Sequence, residues 1–381
     1  MKPKRYQLVL LGPEKALRQS ELQTEVHRLF TSIGLDFGTD AELLVGAEYT
    51  PDWTSYPVAL WFGGNTAPKE EVEMLREFRG RGFAVFPVME TLDNYSHIVQ
   101  EELVPINGEV WDAVRVASDV MKAFRLSRRV RQVFISYKRS ESSGVAHQLF
   151  HELNERGFCV FLDTASVQAG ADFQKSLWGR MADVDLMVLL DTPTALDSTW
   201  VHQELNRAHD LGMGVVQLIW PGHSRTTGTE FCEPVALGGK DFVGGDFSPK
   251  GELERGIIQS VMAIFESERI RSLNTRRIRI MDELQDLLKG TGGTIAVQPR
   301  QNVELRKGTD KIAEIIPFVG VPDAFSLFEH DTAKPAFPKF VVFNGLGVDE
   351  EWNEHLRWLN GKIQIGVHPI DDFGTCIRGI I

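Results

Sequence analysis

The chain has 381 residues and a formal net charge of -12, with 43% hydrophobic and 25% charged residues. This length predicts two or three domains, and the composition is typical of a soluble globular protein. The acidic balance excludes a chain-wide affinity for nucleic acid or an anionic membrane surface, although it permits a local basic patch.

The cysteines and the N-terminus indicate the compartment. Cys159, Cys232 and Cys376 are far apart and have no metal-ligand spacing, so we expect a reducing, cytoplasmic environment without disulfides and no metal site. We find no apolar run of about 18 residues, the length that would predict a membrane-spanning helix. The apolar run after the basic N-terminus is too short for a signal peptide, and we interpret it as the first strand.

The first segment alternates short apolar strands with amphipathic helices, a pattern that predicts a parallel sheet. We therefore predict an N-terminal β/α, Rossmann-like domain over residues 1–125. This domain has the form of a nucleotide-binding domain, but no motif supports that role. A helix over 113–129 is predicted to bridge to the next segment. The predicted strands are 6–12, 57–64 and 83–88, and the predicted helices are 20–34, with Leu22, Val26, Leu29 and Phe30 on one face, and 69–82.

The second segment, residues 129–270, has the same alternation. In an open parallel sheet, ligands collect at the C-terminal ends of the strands. Four polar or aromatic groups follow strands here and are expected at that edge. The first strand begins at 131, and the later strands are 158–163, 186–191 and 214–222. The helices are 143–157, 198–210 and 248–272. The groups at the edge are Ser136 to Arg139, Asp163, Trp200 with Glu204, and Trp220.

The third segment, residues 273–381, mixes both element types and predicts an α/β domain of unknown role. The basic stretch 271–280 is interpreted as a solvated helix face or linker, with contact to a nucleotide signal or nucleic acid as the alternative. The stretch 368–372, "HPIDD", is interpreted as a surface turn. The predicted strands are 293–299, 339–345 and 363–369, and the predicted helix is 349–361.

Trp200 and Glu204 are one helical turn apart, so their side chains share a face of the predicted helix. On spacing alone, Glu204 is a solvated helix carboxylate and Trp200 is a packing residue. Ser198 is interpreted as the N-cap, and His202 and Arg207 are expected to face solvent.

The ordered set "VFISYKRSES", "GFCVFLD", "QAG", "ADVDLMVLLD" and "STWVHQELNRA" resembles the Toll/interleukin-1 receptor (TIR) domain. The resemblance covers residues 129–270 and is closest to NAD-cleaving TIR domains of bacteria and animals. It implies a central flavodoxin-like domain with a parallel sheet. It also implies that Glu204 is catalytic and that Trp200 lines the substrate site.

The same resemblance implies further substrate-binding residues. Ser136, Tyr137, Lys138 and Arg139 are predicted to bind the substrate. The two cations suit a pyrophosphate or a ribose, with an exposed charge pair as the alternative. Asp163 would orient the site or cap a loop. Trp220 would stack on a base or belong to the core. Loop 164–173 matches the mobile loop of TIR domains. Within it, Gly170 would allow a turn, and Gln168 replaces an acidic residue of the animal enzyme.

The implied function is an assembly-activated NAD+ nucleosidase that releases nicotinamide and ADP-ribose or a cyclic product. NAD+ is then the substrate, and no cofactor is expected. The implied setting is bacterial anti-phage defence, with self-association through TIR domains and a trigger ligand or protein as partners. We expect no membrane or nucleic-acid partner. The alternative is a non-enzymatic TIR scaffold, and the presence of Glu204 with Trp200 distinguishes the two.

Overall fold

The computed structural model describes residues 5–47, 50–55, 57–128, 130–162, 173–298, 301–331 and 335–381, with the backbone alone at 173–176. The chain divides into two compact units, Met1–Ser127 and Arg128–Ile381. Among the described residues, no helix is both long and apolar enough to cross a membrane.

The first unit contains a parallel sheet with the strand order β2-β1-β3-β4-β5. Its central strands are largely apolar because helices cover the sheet. The helix predicted to bridge to the next segment ends early and packs within this unit, where Phe124 contacts Phe30. The elements are β1 Tyr6–Leu11, α1 Lys15–Ser32, β2 Ala41–Val45, β3 Val58–Phe62, α2 Lys69–Gly80, β4 Val85–Met89, α3 Tyr95–Ile98, β5 Glu109–Val110 and α4 Ala113–Ala123.

The second unit begins with another parallel sheet, whose strand order is β10-β9-β8-β6-β7. Alternate strand residues face two apolar cores, one on each side of the sheet. The elements are β6 Gln132–Ser136, α5 Arg139–Glu155, β7 Cys159–Leu162, α6 Phe173–Met181, β8 Leu186–Asp191, α7 Thr199–Asp210, β9 Gly214–Ile219, β10 Glu233–Ala236 and α8 Arg255–Leu288.

Helix α8 continues well past its predicted end at residue 272, so that prediction was wrong. It runs without a glycine or proline from Ile257 to Leu288. Its first half packs Val261 and Phe265 into a core of the parallel sheet, and its second half packs Leu284 into the next core. One helix therefore serves two hydrophobic cores.

The last part of the second unit is a mixed sheet in the order β11-β12-β13-β14-β15, with an antiparallel β11-β12-β13 part and a parallel β13-β14-β15 part. The stretch 368–372 is not a surface turn, because His368 and Pro369 end a strand and Asp371 and Asp372 lie in the first turn of a helix. The elements are β11 Gly293–Val297, β12 Val303–Lys307, β13 Asp310–Phe318, α9 Ala324–His330, β14 Lys339–Phe343, α10 Glu350–Asn360, β15 Gly366–Pro369 and α11 Ile370–Ile380.

The predicted fold class is confirmed. A central parallel sheet with a flavodoxin-like 2-1-3-4-5 order lies between an N-terminal β/α region and a C-terminal α/β region in the chain. The residues predicted to line the buried face of α1 are all buried, namely Leu22, Val26, Leu29 and Phe30.

Candidate active site

The C-terminal edge of the central sheet holds a buried pair formed by Ser136 and Glu204. Ser136 is the last residue of β6, and its hydroxyl donates a hydrogen bond to Glu204 Oε2 at 2.5 Å. The Glu204 side chain comes from α7, and the residue is only 3% exposed. The serine therefore fixes one oxygen of a carboxylate beneath the edge where ligands of such sheets bind.

Helix α7 turns Glu204 toward the sheet. Its buried residues are Val201, Glu204, Leu205 and Ala208, so the carboxylate interrupts an otherwise apolar stripe. Ser198 occupies the N-cap position, as predicted, although its side chain makes no capping hydrogen bond. Burial in such a stripe contradicts the interpretation of Glu204 as a solvated helix carboxylate.

Trp200 lies one turn before Glu204 and is 48% exposed. The two side chains therefore differ in depth, with the carboxylate in the interior and the indole at the surface. An exposed indole at this edge presents a flat face on which a planar ring can stack.

Lys138 is engaged by nearby residues. Its ammonium forms an ion pair with Glu141 at 3.0 Å and hydrogen bonds with the side chain and carbonyl of Thr194. Burial raises the pKa of Glu141, but hydrogen bonds from Thr194 and Lys138 outweigh this and hold the pKa at about 2. Arg139 begins α5 and is exposed. The two adjacent cations therefore have different environments.

Tyr137 and Trp220 belong to the hydrophobic core on the opposite side of the sheet from Ser136. Trp220 is 4% exposed, its indole N–H donates to the Phe247 carbonyl at 3.1 Å, and its ring contacts Phe242 edge to face. The structure thus places Tyr137 and Trp220 in the core, so the prediction that they bind the substrate is wrong. Asp163 and residues 164–172, with Gln168 and Gly170, lie outside the described residues.

Comparison with known families identifies this part of the chain. The family model described as a TIR domain matches residues 133–257.

This segment is a TIR domain.

Two curated relatives align with the TIR domain. NAD(+) hydrolase sarm1 of Drosophila melanogaster is 33% identical over 102 residues, which cover 23% of this chain and 7% of that protein. NAD(+) hydrolase tir-1 of Caenorhabditis elegans is 31% identical over 108 residues, or 26% of this chain and 11% of that protein. The chain therefore matches only a small part of each relative.

A second polar group in the TIR domain escaped the sequence analysis. Asp191 ends β8, is fully buried, and accepts a hydrogen bond from Gln217 on β9 at 2.7 Å. His223 Nε2 lies 3.3 Å from the other Asp191 oxygen. Strand alternation places Asp191 on the same side of the sheet as Ser136. The signal in the sequence was Gln217, a single polar residue inside the apolar strand β9.

The basic stretch 271–280 is neither a linker nor a fully solvated face. Arg276 donates hydrogen bonds to the carbonyls of Val184 and Ala182, at 2.9 Å and 3.3 Å. Burial, reinforced by the nearby charge of Arg128, lowers the pKa of Arg276 to about 10. This arginine therefore attaches the continuation of α8 to the TIR domain.

Proposed function

We propose that the TIR domain cleaves the bond between nicotinamide and ribose in NAD+, with Glu204 as the catalytic carboxylate. The observation that carries this proposal is the burial of Glu204 under the C-terminal edge of the sheet, with one oxygen bonded to Ser136. The names of the aligned relatives, both NAD(+) hydrolases, support the same reaction.

The chemistry requires little more than a well-placed negative charge. As the bond between ribose C1′ and the nicotinamide nitrogen breaks, its electron pair leaves with nicotinamide, which departs neutral and needs no general acid. The ribose develops oxocarbenium character, which a carboxylate beside it stabilises. Water then adds to C1′ and releases a proton, giving ADP-ribose. Attack by the adenine of the same molecule instead of water gives a cyclic product.

The other predicted site residues have supporting roles in this proposal. The exposed Trp200 would stack on the nicotinamide ring, and Arg139 would bind the pyrophosphate. Ser136 would keep the carboxylate oriented by its hydrogen bond. Lys138 would act through its bonds to Glu141 and Thr194 rather than as an independent phosphate ligand.

We further propose that activity depends on self-association through the TIR domain and belongs to a cytoplasmic anti-phage response in bacteria. The support for both is the resemblance of the motifs around Ser136 and Glu204 to those of bacterial TIR enzymes. A trigger ligand or protein would then raise the local concentration of TIR domains.

The test is to incubate the purified full chain with NAD+ at low and high protein concentration and to identify the products. The proposal predicts nicotinamide release with a turnover per protein molecule that rises with concentration. Association without turnover at any concentration would support the non-enzymatic scaffold. A turnover independent of concentration would contradict activation by assembly but leave the enzyme assignment intact.

A further inference from the structure

The loop between β14 and α10, residues 344–349, lies against two helices of the TIR domain. Gly347 has a φ of +79°, and a Cβ at this position would overlap the Arg207 guanidinium and approach Leu211 Cδ2 to 3.2 Å. Asp349 Cβ lies 3.8 Å from the position that a Cβ on Gly179 would take. The loop therefore contacts Arg207 of α7 and approaches Leu211, which follows that helix, and it lies near Gly179 of α6.

Arg207 connects the two helices to this loop. Its guanidinium carbon lies 5.4 Å from the centre of the Trp178 ring on α6, at cation–π distance. The Gly347 backbone lies close to the same guanidinium because glycine has no side chain. Arg207 is half-buried and does not face solvent as its sequence position suggested.

A second attachment fixes the connection between α6 and β8. The Asp183 carboxylate accepts the Val321 N–H at 2.8 Å and an Arg128 N–H at 2.6 Å. Arg128 also bonds Asp185 at 2.9 Å. Burial lowers the pKa of Arg128, but Asp185 and Asp183 outweigh this effect and raise it, so the guanidinium stays charged. The segment after β13 is thus anchored to the TIR domain immediately after α6.

We propose that the loop 344–349 positions Glu204 by clamping α7 against α6 through Arg207, which makes Arg207 and Gly347 positioning residues. A methyl group on Gly347 would push the flexible Arg207 guanidinium away from Trp178 and so remove a contact between α7 and α6. Glu204 and Arg207 are three residues apart on one helix, so a shift of the loosened helix carries the carboxylate with it. Catalytic geometry is sensitive to such shifts, since a displacement of about 1 Å can cost about 100-fold in rate. The inference rests on the proposed NAD+ cleavage.

The main comparison is between Gly347→Ala and Gly308→Ala. Both glycines have positive φ, +79° and +61°, so alanine strains the backbone in both. Only the Gly347 methyl meets Arg207, because a Cβ on Gly308 has nothing within 4 Å. We expect Gly347→Ala to lower kcat about tenfold or more, in keeping with the sensitivity of catalysis to misplacement, with KM changed less than about twofold. Gly308→Ala should leave kcat within about twofold of the wild type.

Arg207→Ala completes a double-mutant cycle. If the loop acts through Arg207, this variant also loses kcat, and adding Gly347→Ala to it causes little further loss. The proposal would be overturned if Gly308→Ala and Gly347→Ala lost kcat equally. It would also be overturned if the losses from Arg207→Ala and Gly347→Ala multiplied independently in the double variant. Retention of full kcat by both Gly347→Ala and Arg207→Ala would also overturn it.

Hydrogen exchange of the α7 amides, residues 199–210, provides a readout that does not depend on activity. We expect faster exchange there in Gly347→Ala than in Gly308→Ala, since only the first loosens the clamp. If the wild type fails to cleave NAD+, the proposed function fails, and this measurement alone decides whether the loop holds α7. Equal exchange in the two variants would then refute the clamp itself.

Discussion

Keeping the Glu204 carboxylate in the protein interior costs free energy, because a charged group leaves water when the chain folds. The hydrogen bond from Ser136 recovers part of that cost. An apolar residue at position 204 would continue the stripe of Val201, Leu205 and Ala208 without any such cost. A buried carboxylate at the ligand-binding edge of a sheet is therefore better explained by chemistry than by stability.

Cys159 and Cys232 are expected to differ sharply in reactivity. Burial raises the pKa of Cys232 to about 12, whereas Cys159 is exposed. The reactive species is the thiolate, and a pKa of about 12 leaves only about one thiol in 10⁴ ionised at pH 8. In thiol labelling of the native protein at pH 8, Cys159→Ser should remove the fast phase. Cys232→Ser should leave that phase unchanged. Disappearance of the fast phase in Cys232→Ser would contradict the burial of Cys232.

Glu141 is expected to stabilise the fold at neutral pH and to lose this effect in acid. Its folded-state pKa of about 2 lies below the value of about 4.3 for a free glutamate. The stabilisation is therefore fully present above pH 4.3, roughly, and is lost as the pH falls toward the folded-state pKa.

Glu141→Gln should lower the free energy of unfolding at pH 7 by about 1 kcal/mol, a small value because the site is partly solvated. The difference from the wild type should shrink steadily between pH 4 and pH 2, roughly, as linkage requires. Urea denaturation at several pH values measures this. Glu155→Gln, at an exposed position of the same helix, is the control. A difference that does not depend on pH would contradict the assigned pKa.

At the scale of elements, the sequence predicted buried strands and helices with a clear apolar stripe, such as β8 and α1. It missed β12 and β13, because their charged residues interrupt the continuous apolar runs by which the other strands were recognised and Pro317 lies within β13. It also misjudged the end of α8, since no local stop signal occurs at residue 272 and only tertiary packing separates the two cores.

Glu204 shows why the site was only partly predictable. Its spacing from Trp200 indicated a shared face, but the burial of one and the exposure of the other depend on how α7 lies on the sheet. Its partner Ser136 is 68 residues away in sequence. The Asp183–Val321 bond spans 138 residues. Such contacts follow from tertiary structure and have no periodic signature in the chain.

Arg276 is expected to matter more than its place in a basic stretch suggests. Arg276→Ala leaves the carbonyls of Val184 and Ala182 without these donors. We expect a loss of about 2 kcal/mol in the free energy of unfolding, the usual cost of such buried polar groups. Lys289→Ala, at the exposed end of the same helix, should change it by less than about 0.5 kcal/mol. Urea denaturation compares them, and equal effects would contradict the anchoring role of Arg276.

Across the whole chain, the first unit has the same 2-1-3-4-5 strand order as the TIR domain. After β1, the two groups that could bind a phosphate are already hydrogen-bonded to a side chain of the same unit. The Gly12 N–H and the Lys15 ammonium both bond the buried Glu71 carboxylate, each at 2.7 Å. An acidic side chain of the unit itself therefore occupies the place of an anion, which argues against a nucleotide site there.

Within the second unit, the proposed activity of the TIR domain is expected to depend on the mixed sheet. Helix α8 joins the two cores, and the loop 344–349 contacts the helix that carries Glu204. The TIR domain and the mixed sheet therefore form one compact unit, consistent with the division of the chain after Ser127.

The most direct test of the central claim is NAD+ turnover by Glu204→Gln, which keeps the shape and an oxygen that can accept the Ser136 hydrogen bond but removes the charge. We predict that kcat falls by about 10²-fold or more, the usual cost of losing one electrostatic stabiliser, without a fall in the melting temperature, because the substitution removes a buried charge. Glu155→Gln should retain wild-type turnover. If Glu204→Gln cleaves NAD+ as fast as the wild type, Glu204 is not the catalytic carboxylate.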